Sequence, residues 1–111
     1  ALVRRDRNHP CVILWSSGNE VPDQDLPAGP TLAENHRRII HSEDGTRPVT
    51  AGVSSQKAGF SGFQKHFDVF GWNYKPEIYW KFRATNSAIP LFGSETSSTV
   101  SSRGNSASCG M

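Results

Sequence analysis

The sequence predicts an α/β protein in which βα units build a parallel sheet. Four short apolar runs alternate with helix-patterned or Gly-punctuated segments, the order expected of parallel strands joined by crossovers. The first run, residues 11–15, is continuously apolar, as in a strand buried on both faces. Three of the runs finish in small polar clusters that carry amides, a tyrosine or a glutamate.

The elements follow in order. After residues 11–15 comes a loop rich in Pro, Asp and Gly over residues 21–30. "PTLAENHRRIIHSEDG" then reads as a helix. Thr31 followed by Glu34 has the spacing of a capping box. Leu32, His36, Ile39 and Ile40 share one helical face, and Arg37 and Arg38 fall off it. Asp44-Gly45 closes the helix. "RPVTAGV" is the second strand, and one helical turn is expected at residues 63–66. "FDVFGWNY" is the third strand. Lys75-Pro76-Glu77 opens a helix with proline in its first turn, where the missing N–H costs nothing. Ile78, Tyr79, Phe82 and Ala84 supply its buried side, and "IPLFGSE" is the fourth strand.

Composition excludes several classes. At 111 residues the chain has mass for one domain. No run approaches the roughly 20 apolar residues of a membrane span, and mean hydropathy is −0.52. A net charge of +2 is too small to argue for nucleic acid. The basic knot Arg4-Arg5-Asp6-Arg7 lacks interleaved aromatics and reads as a solvated helix end. Cys11 reads as a small buried hydrophobe. Cys109 stands in a Ser/Gly-rich tail, so the two cysteines form no disulfide or metal framework. No Gly-rich phosphate loop follows any strand, which argues against a dinucleotide site. The chain opens on Ala and ends in "SSRGNSASCGM", so it reads as part of a longer protein.

The chemistry gathers at the strand ends: Gly18-Asn19-Glu20, Gly71-Trp72-Asn73-Tyr74 and Gly93-Ser94-Glu95. In parallel βα folds these ends share one face, where active sites form. Two glutamates remote in sequence then converge. A pair of carboxyls suits glycoside hydrolysis, one protonated to release the leaving oxygen and one ionised to attack the anomeric carbon. A separation of about 5–5.5 Å gives a retaining mechanism through a covalent glycosyl-enzyme. Mutual repulsion helps to split their pKa values into the two roles. Taken singly, each glutamate reads more readily as a solvated loop charge than as a catalytic acid; it is the pair that points to chemistry.

"VRRDRNHPCVILWSSGNE" closely resembles the segment before the acid/base glutamate of glycoside hydrolase family 2, the β-galactosidase and β-glucuronidase family. There the pattern is R-D-x-N-H-P, an apolar strand ending in tryptophan, and S-x-G-N-E. "DVFGWNY" and "PLFGSETSSTVSSRG" resemble the sixth and seventh barrel strands of that family. The likeness runs over residues 3–104. It implies a fragment of a (β/α)8 TIM barrel, approximately strands four to seven, with residues 1–104 as a partial catalytic domain and 105–111 as an irregular tail.

The resemblance also implies roles. Glu20 matches the general acid/base and Glu95 the nucleophile. Asn19 matches the amide that contacts the sugar 2-hydroxyl, and Tyr74 the tyrosine that hydrogen-bonds the nucleophile. Trp72 stands open between stacking on a sugar face and packing at the barrel rim. Trp15 reads as core and Trp80 as helix packing. His9 reads as fixing the entry into the first strand. His36, His41 and His66 show no ligand spacing, so no metal site is expected, and the chemistry implies no cofactor.

The expected partner is a β-linked oligosaccharide or other glycoside, with no nucleic acid and no membrane. The other barrel half and the family's β-sandwich domains match nothing in this chain. Another retaining barrel glycanase, or a silent fragment with only carbohydrate-binding or structural character, stays open beside the family 2 reading. The long R-D-R-N-H-P lead-in favours family 2.

Overall fold

The computed structural model describes residues 2–97. Four strands form one sheet in the order β1-β2-β3-β4, each parallel to its neighbour. They are β1 (Trp15–Asn19), β2 (Val49–Val53), β3 (Phe70–Asn73) and β4 (Leu91–Glu95). Parallel neighbours need long crossovers. Helix α2 (Gly29–Glu43) joins β1 to β2, following α1 (Leu2–Asp6) at the N-terminal side. Two 3-10 turns, Lys57–Gly59 and Phe63–His66, join β2 to β3. A 3-10 turn at Pro76–Ile78 runs into α3 (Tyr79–Thr85) before β4. Among the described residues no helix is long and apolar enough to cross a membrane.

The pleat sorts the two central strands into two faces. Val49, Ala51 and Val53 of β2 and Phe70 and Trp72 of β3 are buried toward the crossovers. Register sets Val53 beside Trp72. Phe82 of α3 stacks on Phe70 with ring centroids 4.8 Å apart and meets the Trp72 ring edge-on at 5.7 Å. Gly59 lies so close to this cluster that a Cβ there would come within 2.5 Å of the Trp72 ring. The alternate residues Thr50, Gly52, Gly71 and Asn73 take the other face and are small or polar.

Two aspartates pin the N-terminal edge of the sheet. Asp44 accepts hydrogen bonds from the Trp15 indole at 3.0 Å, the Thr46 amide at 2.9 Å and Arg47 at 2.6 Å. Asp68 accepts from the Val49 amide at 2.9 Å and Arg37 at 3.0 Å, and pairs with His41 at 2.9 Å.

Several expectations change. The first strand is Trp15–Asn19, not residues 11–15. The Arg47 guanidinium takes the Val12 carbonyl, as well as those of Arg7 and His9, and the Val12 amide bonds His9. The lead-in is therefore clamped as a turn, and the ladder starts only where Trp15 N–H meets Pro48 O. Ile13 is 77% exposed as a result, and Cys11 is exposed rather than buried. It is the His9 carbonyl, not its imidazole, that fixes entry into β1.

Helix α2 starts at Gly29, so Thr31 lies inside it and forms no capping box; the Glu34 carboxylate bonds His66 at 3.0 Å instead. Its buried positions are Gly29 and Ala33, while Ile39 is exposed and Arg37 turns in to Asp68. The α-helical part of the third crossover begins at Tyr79 rather than at Lys75. Trp80 is 74% exposed and not packed; Phe82 is the residue that short helix buries, with Ile78 buried just before it. Ala84 is likewise exposed. The tail at residues 105–111, with Cys109, lies outside the described residues.

Candidate active site

Parallel pairing brings every strand's C-terminal end to one edge, and the polar clusters meet there. Asn73, the last residue of β3, is fully buried at 0% exposure. Its Nδ2 donates to Asn19 Oδ1 at 2.9 Å and to Glu20 Oε1 at 3.0 Å. Its Oδ1 accepts from Ser94 Oγ at 2.6 Å. One side chain thus ties together the tips of β1, β3 and β4.

Two glycines make room for this cluster. A Cβ on Gly52 would collide with Asn19 Oδ1 and stand 3.1 Å from Asn73 Oδ1. A Cβ on Gly71 would stand 3.0 Å from Ser94 Oγ and 2.5 Å from the Ala51 carbonyl. Register slips between Ser16 and Asn19 in β1, and between Trp72 and Asn73 in β3, re-aim the strand ends.

Glu20 and Tyr74, each directly after a strand-final asparagine, adopt left-handed backbone angles, φ 47° and 66°. For non-glycine residues this costs on the order of 1–3 kcal/mol and clusters at functional sites. Backbone bonds hold both turns. Glu20 N–H reaches Gly52 O at 2.8 Å, and Tyr74 N–H reaches Glu95 O at 2.7 Å. Glu20 and Glu95 are both exposed.

Asn19, Glu20, Tyr74 and Glu95 therefore share one edge. Trp72 does not join them. One position before Asn73, it points to the opposite face and lies wholly buried against Phe70 and Phe82, so packing, one of the two readings open from the sequence, describes its place. Its indole N–H has no hydrogen-bond partner among the described residues. Tyr74 meets Glu95 through the backbone. Asn73 and Ser94 stand in the strand-end clusters read from the sequence, but that reading gives neither of them a role, although strand alternation separates Asn73 from Trp72. Among the described residues no three His, Cys, Asp or Glu side chains group as metal ligands.

Known proteins resemble this chain. The model of the TIM barrel domain of glycosyl hydrolases family 2 matches residues 1–99. Beta-galactosidase BoGH2A of Bacteroides ovatus is 31% identical over 135 aligned positions, covering 93% of this chain and 16% of that protein. The β-glucuronidase of Rattus norvegicus is 46% identical over 52 residues, 44% of this chain and 7% of its own length. The crystal structure of a glycosyl hydrolase family 2 member from Bacteroides cellulosilyticus superposes with a TM-score of 0.77 at 35% identity, over 83% of this chain and 13% of that one. The chain spans about a sixth or less of the length of these relatives. With its parallel four-stranded sheet and a family match over residues 1–99, the chain belongs to glycosyl hydrolase family 2, as part of the TIM barrel domain.

Proposed function

We propose that a full-length protein carrying this segment cleaves terminal β-glycosidic bonds, as a β-galactosidase does, with retention of configuration. Glu95 is the nucleophile and Glu20 the acid/base. The observation that carries this reading is the shared edge: Glu20 and Glu95 stand at the tips of β1 and β4, with Asn73 and Ser94 hydrogen-bonded in between.

In the first step ionised Glu95 attacks the anomeric carbon while Glu20 gives its proton to the departing glycosidic oxygen. A bond to Glu95 replaces the bond to the aglycone, which leaves as an alcohol. Glu20, now a carboxylate, takes a proton from water. That water's oxygen attacks the same carbon and frees Glu95. Asn73 occupies Asn19 Oδ1, so the Asn19 Nδ2 group remains to meet the sugar 2-hydroxyl. Tyr74, whose backbone N–H already holds the Glu95 carbonyl, is the residue whose hydroxyl donates a hydrogen bond to the nucleophile in the working site. The scheme needs no cofactor, and further sugar contacts come from barrel strands outside this chain.

A panel of nitrophenyl glycosides tests the substrate class on the full-length protein. The β-galactoside is expected to turn over, with the β-anomer as first product by NMR. First release of the α-anomer from a β-glycoside, or turnover of α-glycosides alone, would contradict the proposal.

A further inference from the structure

We infer that Asn73 is a positioning residue for proton transfer: its amide selects which oxygen of Glu20 carries the proton, and Ser94 locks that amide. The inference rests on the acid/base role proposed for Glu20. Both hydrogens of Asn73 Nδ2 are committed, one to Asn19 Oδ1 and one to Glu20 Oε1. The Ser94 hydroxyl fills Oδ1. A flipped amide would set its oxygen against Asn19 Oδ1 and Glu20 Oε1, so these two acceptors fix one orientation, and the Ser94 hydroxyl then holds the amide oxygen in place. Full burial of Asn73 makes each of these bonds costly to leave unmade.

An oxygen that accepts from an amide N–H is not the one that holds the acid proton. Oε1 is therefore the anchored acceptor, and Oε2 is the oxygen that delivers the proton to the leaving group. Gly52 and Gly71, where side chains would intrude on this network, keep its space open. Because Ser94 neighbours Glu95 on β4, the same chain of bonds ties the proton donor to the strand bearing the nucleophile.

Misplacing an acid harms substrates in proportion to their need for protonation. The test measures kcat/KM of the full-length enzyme on a dinitrophenyl glycoside, which leaves unaided, and on a phenyl or alkyl glycoside, which does not. Asn73→Ala is expected to lose about 10–100-fold on the poor leaving group and under about 3-fold on the good one. Ser94→Ala, which removes one hydroxyl and keeps the fold if Asn73→Ala does not, is expected to show the same asymmetry at about 3–10-fold. Ser94→Thr is expected to restore it. Equal losses on both substrates, or no loss from Ser94→Ala, would overturn the inference. Glu20→Ala is the reference. If it shows leaving-group dependence while the Asn73 and Ser94 variants do not, only the positioning role fails. If Glu20→Ala shows none, the acid/base assignment fails and the inference falls with it.

Discussion

The Trp15 indole donates to the Asp44 carboxylate at 3.0 Å, joining the first residue of β1 to the residue that ends α2. Arg47 bonds the same carboxylate at 2.6 Å and lies over the Trp15 ring, 5.8 Å from its centroid. The strand whose far end carries Glu20 is thus anchored at its start by a half-buried ionic knot.

That knot predicts acid sensitivity. Hydrogen bonds from the Thr46 side chain and backbone, then from Trp15 and Arg47, hold the Asp44 carboxyl well below the usual aspartate range. For Asp68, burial pulls upward, but the Val49 amide and Arg37 outweigh it and the net shift is also down. A carboxyl depressed in the folded state stabilises the fold above its unfolded pKa, and that stabilisation is lost as pH falls through the folded value. The thermal-unfolding midpoint of the full-length protein is therefore expected to hold steady from pH 7 to about 4 and to fall progressively below about 4. Asp44→Asn is expected to lower the midpoint at pH 7 and to flatten the acid slope.

Burial of Trp72 predicts a separation of stability from binding. Its ring packs on Phe70, Phe82 and Gly59, away from the edge that holds Glu20 and Glu95. Trp72→Phe is expected to lower the melting temperature and leave KM for a nitrophenyl glycoside unchanged. Phe82→Ala, which opens the same cluster, is expected to cost about 3–5 kcal/mol. A raised KM with unchanged melting in Trp72→Phe would return the ring to the substrate.

The sheet order makes β1 and β4 its two edges. Parallel strands are normally paired or covered. The 111-residue chain expressed alone is expected to be marginally stable, to self-associate in light scattering and to show no turnover of an aryl glycoside. A monomer with cooperative thermal unfolding and measurable turnover would contradict this.

Much of the fold was legible in the sequence, and the reasons differ by element. Strands β2 and β4 and the turn at Phe63–His66 are short, punctuated runs that fall where the pattern sets them, although polar Thr50 and Gln64 are buried in them as well. β1 was displaced because apolarity at residues 11–14 is no proof of ladder pairing. Arg47, 35 positions after Val12, claims the Val12 carbonyl, and no local pattern encodes that. The start of α2 was displaced because Gly29-Pro30 opens the helix before Thr31 can cap it.

At the site, glutamates and amides at strand ends mark the edge directly. Asn73 was obscured by its aromatic neighbours Trp72 and Tyr74. Its importance lies in contacts with residues 21 and 54 positions away, which the fold alone brings together.

The assignment of Glu95 and Glu20 to opposite roles is the central claim, and covalent trapping tests it most directly. The full-length enzyme is incubated with a 2-fluoro glycosyl inactivator, digested, and the labelled peptide sequenced by mass spectrometry. The label is expected on Glu95, and Glu95→Gln is expected to abolish labelling, while Glu20→Ala still forms the adduct from a good leaving group. A label on Glu20 would reverse the roles, and a label on neither glutamate would refute the shared edge as the catalytic centre.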